Sequence, residues 1–189
     1  MNVVEISCRA LDELRETVMN VDTAQTEAFV QAVLKAERVF VAGAGRSLLM
    51  IRAFAMRLMH LGLTAYVVGE TVTPAITDKD ILITATGSGE TGSLKVIAGN
   101  AKKIGAKLGV ITIYPDSTIG SLADFVVRID AACVKSGRET EEGKSVQPAG
   151  NTFEQSVLII TDAMIIRMIE VMGIRDENRQ IMRLHANLE

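Results

Sequence analysis

The sequence predicts an α/β fold: a five-stranded parallel sheet in the order 2-1-3-4-5, flanked by helices on both faces and preceded by two N-terminal helices. Three observations predict it. Short apolar runs alternate with longer segments of helical periodicity. The runs are continuously apolar rather than alternating with polar residues, so both faces of each strand are covered, as in a parallel doubly wound sheet. The chain has 189 residues, 48% of them hydrophobic, which suits one domain with one core. With the order 2-1-3-4-5, the ligand crevice lies between the C-terminal ends of strands one and three.

Each element follows in turn. Val4, Cys8, Leu11, Leu14 and Val18 recur at steps of three and four, an amphipathic helix. Asp22 and Thr23 are N-cap residues for a second helix carrying Ala28, Phe29, Ala32, Val33 and Ala36. Val39-Phe40-Val41-Ala42 reads as the first strand, and a long apolar helix follows from about Ser47 to Leu61. Thr64-Ala65-Tyr66-Val67-Val68 is the second strand; Asp80 to Ala85 is the third, after a turn around Pro74 and Asp78. A helix from about Gly92 to Ile104 leads to strand four, Leu108 to Ile113. Pro115-Asp116-Ser117 opens a short turn or helix before strand five, Phe125 to Ile129. The polar stretch from Lys135 to Ser145 reads as a surface loop. A last long helix runs from about Asn151 to Met172. The expected organisation is a single domain, with N-terminal helices over residues 1–36, an α/β core over 37–172 and a polar C-terminal tail over 173–189.

Composition excludes several classes. The formal net charge is −3 and there is no basic tract, so no nucleic-acid partner and no anionic membrane surface is expected. Cys8 and Cys133 form no CxxC pair, and the chain lacks the Cys/His density of a metal site. The opening residues from Met1 lack the basic flank and apolar core of a signal peptide, so a reduced cytoplasmic setting is the expectation. The apolar stretch from Val157 to Met172 is interrupted by Asp162, Arg167 and Glu170, and reads as a helix buried against protein rather than a membrane span.

The crevice rule picks out two loops. After strand one comes Gly43-Ala44-Gly45-Arg46-Ser47; after strand three comes Thr86-Gly87-Ser88-Gly89-Glu90-Thr91-Gly92-Ser93. These two loops are the richest in glycine and hydroxyls, and each opens a helix. Helix N-termini offer free N–H groups and partial positive charge, glycines admit a ligand to the backbone, and hydroxyls add neutral donors. In either loop alone, glycine is commonly turn geometry and Ser or Thr a helix cap. Their coincidence at one crevice points to an anion site of phosphate type. A Walker loop is absent, because neither loop ends in Gly-Lys-Ser/Thr. A dinucleotide fingerprint fails at Leu48, although Glu70 ends strand two where a ribose-binding acid would sit.

Gly45-Arg46-Ser47 followed by Thr86-Gly87-Ser88-Gly89-Glu90-Thr91 resembles the sugar isomerase (SIS) fold, whose members bind phosphosugars. Within it, the chain is similar to the 3-hexulose-6-phosphate isomerase family. Phe54 to Gly62, Val67-Val68-Gly69-Glu70, the run from Gln147 to Gln155, and the ending His185-Ala186-Asn187-Leu188-Glu189 carry that likeness. The family pattern Pro-Met-Gly-Ser/Thr-Leu-Phe-Glu is departed from at Ala149, Asn151 and Thr152, which bears on local packing and fine substrate contacts rather than on the glutamate.

The resemblance implies interconversion of D-arabino-3-hexulose 6-phosphate and fructose 6-phosphate through an enediolate, with no metal and no organic cofactor. It implies phosphate contacts at Ser47, Ser88 and Thr91, backbone help from Gly87 and Gly89, and a setting completed by Gly45, Arg46 and Thr86. It implies Glu154 as the catalytic base, and its recurring ending implies a role for His185 in opening the sugar ring or closing a neighbour's site. Glu154 fits independently, since a partly desolvated carboxylate near the start of the last helix is a stronger base than one in water; its plainer reading is a helix N-terminal charge. Arg46, Arg57 and His60 share one arc of a helix, but Arg57 lies about 16 Å along the axis from Arg46. Arg57 and His60 are therefore expected to be structural or at a subunit contact. The apolar helices at Leu48–Leu61 and Val157–Met172 suggest a homo-oligomer; the resemblance points to a tetramer, and the sequence leaves dimer and tetramer open. Two other readings share the loops: another phosphosugar isomerase, such as one acting on arabinose 5-phosphate, and a non-catalytic phosphosugar sensor.

Overall fold

The computed structural model describes residues 1–131, 145–148 and 150–188. Most of the polar stretch read as a surface loop, together with Cys133, Ala149 and Glu189, lies outside the described residues. Helix α1 (Val3–Met19) begins with a capping box: Asn2 Oδ1 accepts from the Glu5 N–H and Glu5 Oε2 from the Asn2 N–H, both at 2.9 Å. Helix α2 (Thr23–Lys35) is capped by Asp22, whose Oδ1 accepts from the Ala24 and Gln25 N–H groups. The core then runs β1 (Val39–Gly43), α3 (Gly45–His60), β2 (Ala65–Val67), β3 (Ile81–Ala85), α4 (Gly92–Ile104), β4 (Lys107–Thr112) and β5 (Phe125–Arg128). Helices α5 (Asn151–Met172) and α6 (Glu177–Leu184) close the chain.

The five strands lie in the order β2-β1-β3-β4-β5, every neighbouring pair parallel, as the sequence predicts. The pleat sorts their side chains into two cores. Val39, Val41, Ile81, Ile83 and Ile111 face one way and meet Phe29 and Val33 of α2, Ile51, Phe54 and Leu58 of α3, and Val157, Met164 and Met168 of α5. Phe40, Ala42, Leu82, Leu108 and Val110 face the other way and meet Leu94, Ala98 and Ala101 of α4. One face thus carries three helices and the other carries α4. Helix α2 is part of that core rather than an appendage, since Phe29 and Val33 are fully buried. No described helix is long and apolar enough to cross a membrane.

The structure differs from the sequence reading at three places. Strand β2 is shorter than expected because it is an edge strand, although Val39 N→Thr64 O and Val68 N→Val41 O, both 2.9 Å, continue its pairing. Helix α3 starts at Gly45 rather than near Ser47, because its N-cap is Ala44, which carries no capping oxygen and gives no sequence signal. The residues read as a C-terminal tail contain α6, capped by Asp176 Oδ1 accepting from the Arg179 N–H at 2.9 Å. This helix is short and mostly polar, with Ile181, Met182 and Leu184 as its apolar residues. It docks on the end of α3, where Gln180 Nε2 donates to the Leu61 carbonyl at 3.4 Å.

Candidate active site

Three helix N-termini meet at the C-terminal edge of the sheet. Helix α3 leaves β1 through Ala44, α4 leaves the loop after β3 through Thr91, and α5 starts after Gly150. None of these three N-cap residues makes a side-chain capping bond. The leading N–H groups of α3 and α4 therefore keep their donors for an incoming group, while in α5 the Asn151 N–H is spent on the Pro148 carbonyl at 3.1 Å; the dipoles of all three favour an anion. The Thr91 hydroxyl is likewise not spent on a cap.

Between them lies a cleft of about 400 Å³, lined by Ala44, Gly45, Arg46, Ser47, Ala85, Thr86, Gly87, Ser88, Thr91, Leu94, Ile113, Gly150, Phe153 and Glu154. That volume is in the range of small-molecule sites. Every predicted phosphate-loop residue except Gly89 lines it, and so does the predicted base. Gly89 instead shapes the loop: its N–H donates to Thr86 Oγ1 at 3.2 Å and its carbonyl accepts from Ile119 N at 3.2 Å. Two bonds to the Gly87 carbonyl, from Thr112 Oγ1 and Ile113 N, both 3.3 Å, tie the same loop to the end of β4. Glu90 completes the brace. It accepts from the Thr118 N–H at 2.7 Å and the Thr118 hydroxyl at 2.9 Å, which with Lys95 hold its pKa below the usual value.

Arg46 and Glu154 are the ionisable residues of the lining, and they face one another: Arg46 Nη1 lies 3.1 Å from Glu154 Oε2. The same nitrogen donates to Asn151 Oδ1. The Glu154 side chain is 17% exposed and Arg46 53%, so the carboxylate is sheltered while the guanidinium is open to an arriving anion. The apolar wall of Phe153, Ile113 and Leu94 was not singled out by sequence reasoning. Its one signal was position, Phe153 standing beside Glu154 on the buried side of α5.

His185 does not enter this cleft. Its ring stacks on that of His60, centroids 5.5 Å apart and planes 17° from parallel. His60 ends α3, about 21 Å along the helix axis from Arg46. It is 4% exposed, and its Nδ1 has no partner among the described residues. Burial, Arg57 and His185 push the His60 pKa down, so the neutral ring is favoured.

Comparison with known proteins agrees with this geometry. Residues 32–136 match the model of the SIS domain family. A Bacillus subtilis protein named 3-hexulose-6-phosphate isomerase is 37% identical over 100% of both chains. A protein of the same name from Mycobacterium gastri is 42% identical over 94% of this chain and 87% of its own. A crystal structure from Methanococcus jannaschii, from which a molecular function of 3-hexulose-6-phosphate isomerase was inferred, superposes with a TM-score of 0.79 at 31% identity, covering 97% of each chain. With its strand order, its two glycine-rich loops on one cleft and full-length relatives of this kind, the chain belongs to the SIS domain family, in the branch of the 3-hexulose-6-phosphate isomerases.

Proposed function

We propose that this protein is a ketose-phosphate isomerase interconverting D-arabino-3-hexulose 6-phosphate and fructose 6-phosphate. The observation that carries the reading is a sheltered carboxylate, Glu154, in the same cleft as two glycine- and hydroxyl-rich loops at helix N-termini. The phosphate binds at Ser47, Ser88 and Thr91 and at the leading N–H groups around Gly45 and Gly87, while the Gly89 N–H is committed to Thr86. Thr86 holds the second loop in shape through its bond to Gly89. Anchoring the unreactive phosphate turns binding energy into orientation of the carbons at the other end.

Glu154 takes the proton from C2 of the 3-hexulose and returns it to C3, and the carbonyl moves from C3 to C2 through the enediolate. Arg46, beside the carboxylate, either meets the phosphate or stabilises the negative oxygen as it forms. The O2 hydroxyl proton passes to O3 as the carbonyl moves, so the chemistry needs no electron acceptor. Supplied with a panel of phosphosugars and followed by NMR, the protein should convert fructose 6-phosphate and leave arabinose 5-phosphate unchanged; the reverse preference would sink this assignment. Ser88→Ala and Thr91→Ala should each weaken fructose 6-phosphate binding by about 1–3 kcal/mol, the scale of hydrogen bonds to a charged group. Calorimetry giving equal affinities for fructose and fructose 6-phosphate would refute the phosphate site.

The proposal includes assembly, with a tetramer favoured over a dimer. Leu49, Met56, Ile159 and Ile166 stand 56, 46, 43 and 57% exposed on α3 and α5, apolar surface that a second copy would cover. His185, at the far end of α3 from its own cleft, then completes the cleft of a neighbouring copy, where it serves ring opening. Light scattering should report an oligomer at micromolar concentration. Because Ile166 is exposed in the single chain, Ile166→Arg should leave the fold intact and break the assembly. Co-expressed Glu154→Gln and His185→Ala chains should regain activity at roughly one site in four, since half the bases then neighbour an intact histidine. A monomeric wild type, or mixed chains as inactive as either alone, would contradict this part.

A further inference from the structure

Glu13 lies on α1, far in sequence from both loops and from the base. Its carboxylate collects three donors from the segment that leads into α5. Ser145 Oγ donates to Oε2 at 2.7 Å, the Val146 N–H to Oε1 at 2.8 Å, and Gln147 Nε2 to Oε2 at 3.3 Å. Gln147 Nε2 also reaches the Ala10 carbonyl at 3.4 Å and Thr152 Oγ1 at 3.1 Å. Every described hydrogen bond from residues 145–147 to other parts of the chain ends on Ala10, Glu13 or Thr152. Thr152 is in the first turn of α5, two residues before Glu154, and the Asn151 N–H closes that turn on the Pro148 carbonyl at 3.1 Å.

The contacts therefore run without a break from Glu13 through Gln147 and Thr152 to the turn that carries the base. Burial alone would raise the Glu13 pKa, but the Val146 N–H, the Ser145 hydroxyl, the Gln147 amide and the charge of Arg9 outweigh it and lower the pKa. The carboxylate that receives these donors is thus ionised at neutral pH. Residues 3–9 of α1 are exposed, and its burial begins around Leu14, where it packs on α5 and brings Glu13 to this segment.

We infer that Glu13 is a positioning residue for the isomerisation: a latch that holds the segment preceding α5, and through Gln147 and Thr152 sets Glu154 against the substrate. The inference rests on the isomerase reading for its kinetic consequence. The loop after β3 makes no hydrogen bond to this segment among the described residues, and the loop after β1 meets it through Arg46, on Asn151 and Glu154, so its loss acts on chemistry more than on anchoring.

Glu13→Ala should lower kcat by about 10- to 100-fold, the cost of a reacting group displaced by an ångström or so, with the Kd for fructose 6-phosphate changed less than about twofold. The number of fructose 6-phosphate sites per chain, read by calorimetry, should stay at the wild-type value; a kcat loss that tracks a loss of sites overturns the inference. Gln147→Ala should reproduce the effect, and the double variant should be no slower than the worse single one. Losses that multiply mean two independent effects and overturn it as well. Amide exchange in residues 145–147 and 150–154 should speed up in Glu13→Ala while the loop after β3 stays protected, a readout independent of turnover. Unchanged exchange, or faster exchange with unchanged kcat, overturns the latch. Wild type without activity on any phosphosugar overturns the isomerase reading instead.

Discussion

Replacing Glu154 by glutamine should reduce turnover by about 10²- to 10⁴-fold, the usual contribution of a general base. Glutamine keeps the length and the hydrogen-bonding reach of the side chain but cannot accept the proton. It also removes the charge that faces Arg46 at 3.1 Å, leaving that guanidinium to Asn151 and the substrate. Affinity for fructose 6-phosphate should therefore change little, because the anchors lie on the loops after β1 and β3. Wild type in D₂O should wash deuterium into C3 of fructose 6-phosphate, provided the proton on the base exchanges before it returns, and the variant should do so slower by a similar factor. Near-normal turnover in Glu154→Gln would move the base elsewhere, and the structure narrows the choice. Glu90 is committed to Thr118 and Lys95, and His185 stands at the other end of α3. A wild type that binds the sugar phosphate and converts none of the panel would make the protein a sensor.

How far the site could be read from sequence depended on how local its causes are. Both loops that line the cleft were legible because one short stretch fixes each: a buried strand ends, glycines and hydroxyls follow, and a helix begins. Continuous apolar runs then fixed the parallel sheet, and its order brought the loops to one edge. Arg46 was separable from Arg57 and His60 by helix rise alone, and the structure puts His60 at the opposite end of α3. The start of α3 was misplaced because Ala44 caps without a side chain. Helix α6 was missed because eight mostly polar residues are too few to stand as a helix alone, and docking on Leu61 supplies the missing support. The Glu13–Gln147 contact had no local signature. The residues are 134 apart, and only the packing of α1 on α5 brings them together.

Gly89→Ala should damage fold and site together, by about 2–5 kcal/mol of stability, summing the cost of left-handed backbone for a residue with a Cβ and that of overpacking. Gly89 has φ +66°, and a Cβ there would stand 1.8 Å from Ser117 Oγ and 2.4 Å from Ser117 Cβ. Neither side can yield cheaply. The Gly89 backbone is held on both sides by Thr86 and Ile119, while Ser117 is 8% exposed and its Oγ accepts from the Gly120 N–H at 3.2 Å. Relief must come from the loop itself, which displaces Ser88 and Thr91 from the cleft. Thermal unfolding should show the stability loss, and calorimetry should show fructose 6-phosphate affinity reduced at least about tenfold, the loss of about one hydrogen bond to a charged group. Adding Ser117→Gly removes both colliding atoms. The double variant should recover part of the affinity while keeping the backbone strain of about 1–2 kcal/mol. If Gly89→Ala alone bound fructose 6-phosphate as tightly as wild type, the loop after β3 could not be the phosphate anchor, and the site would rest on α3 and α5.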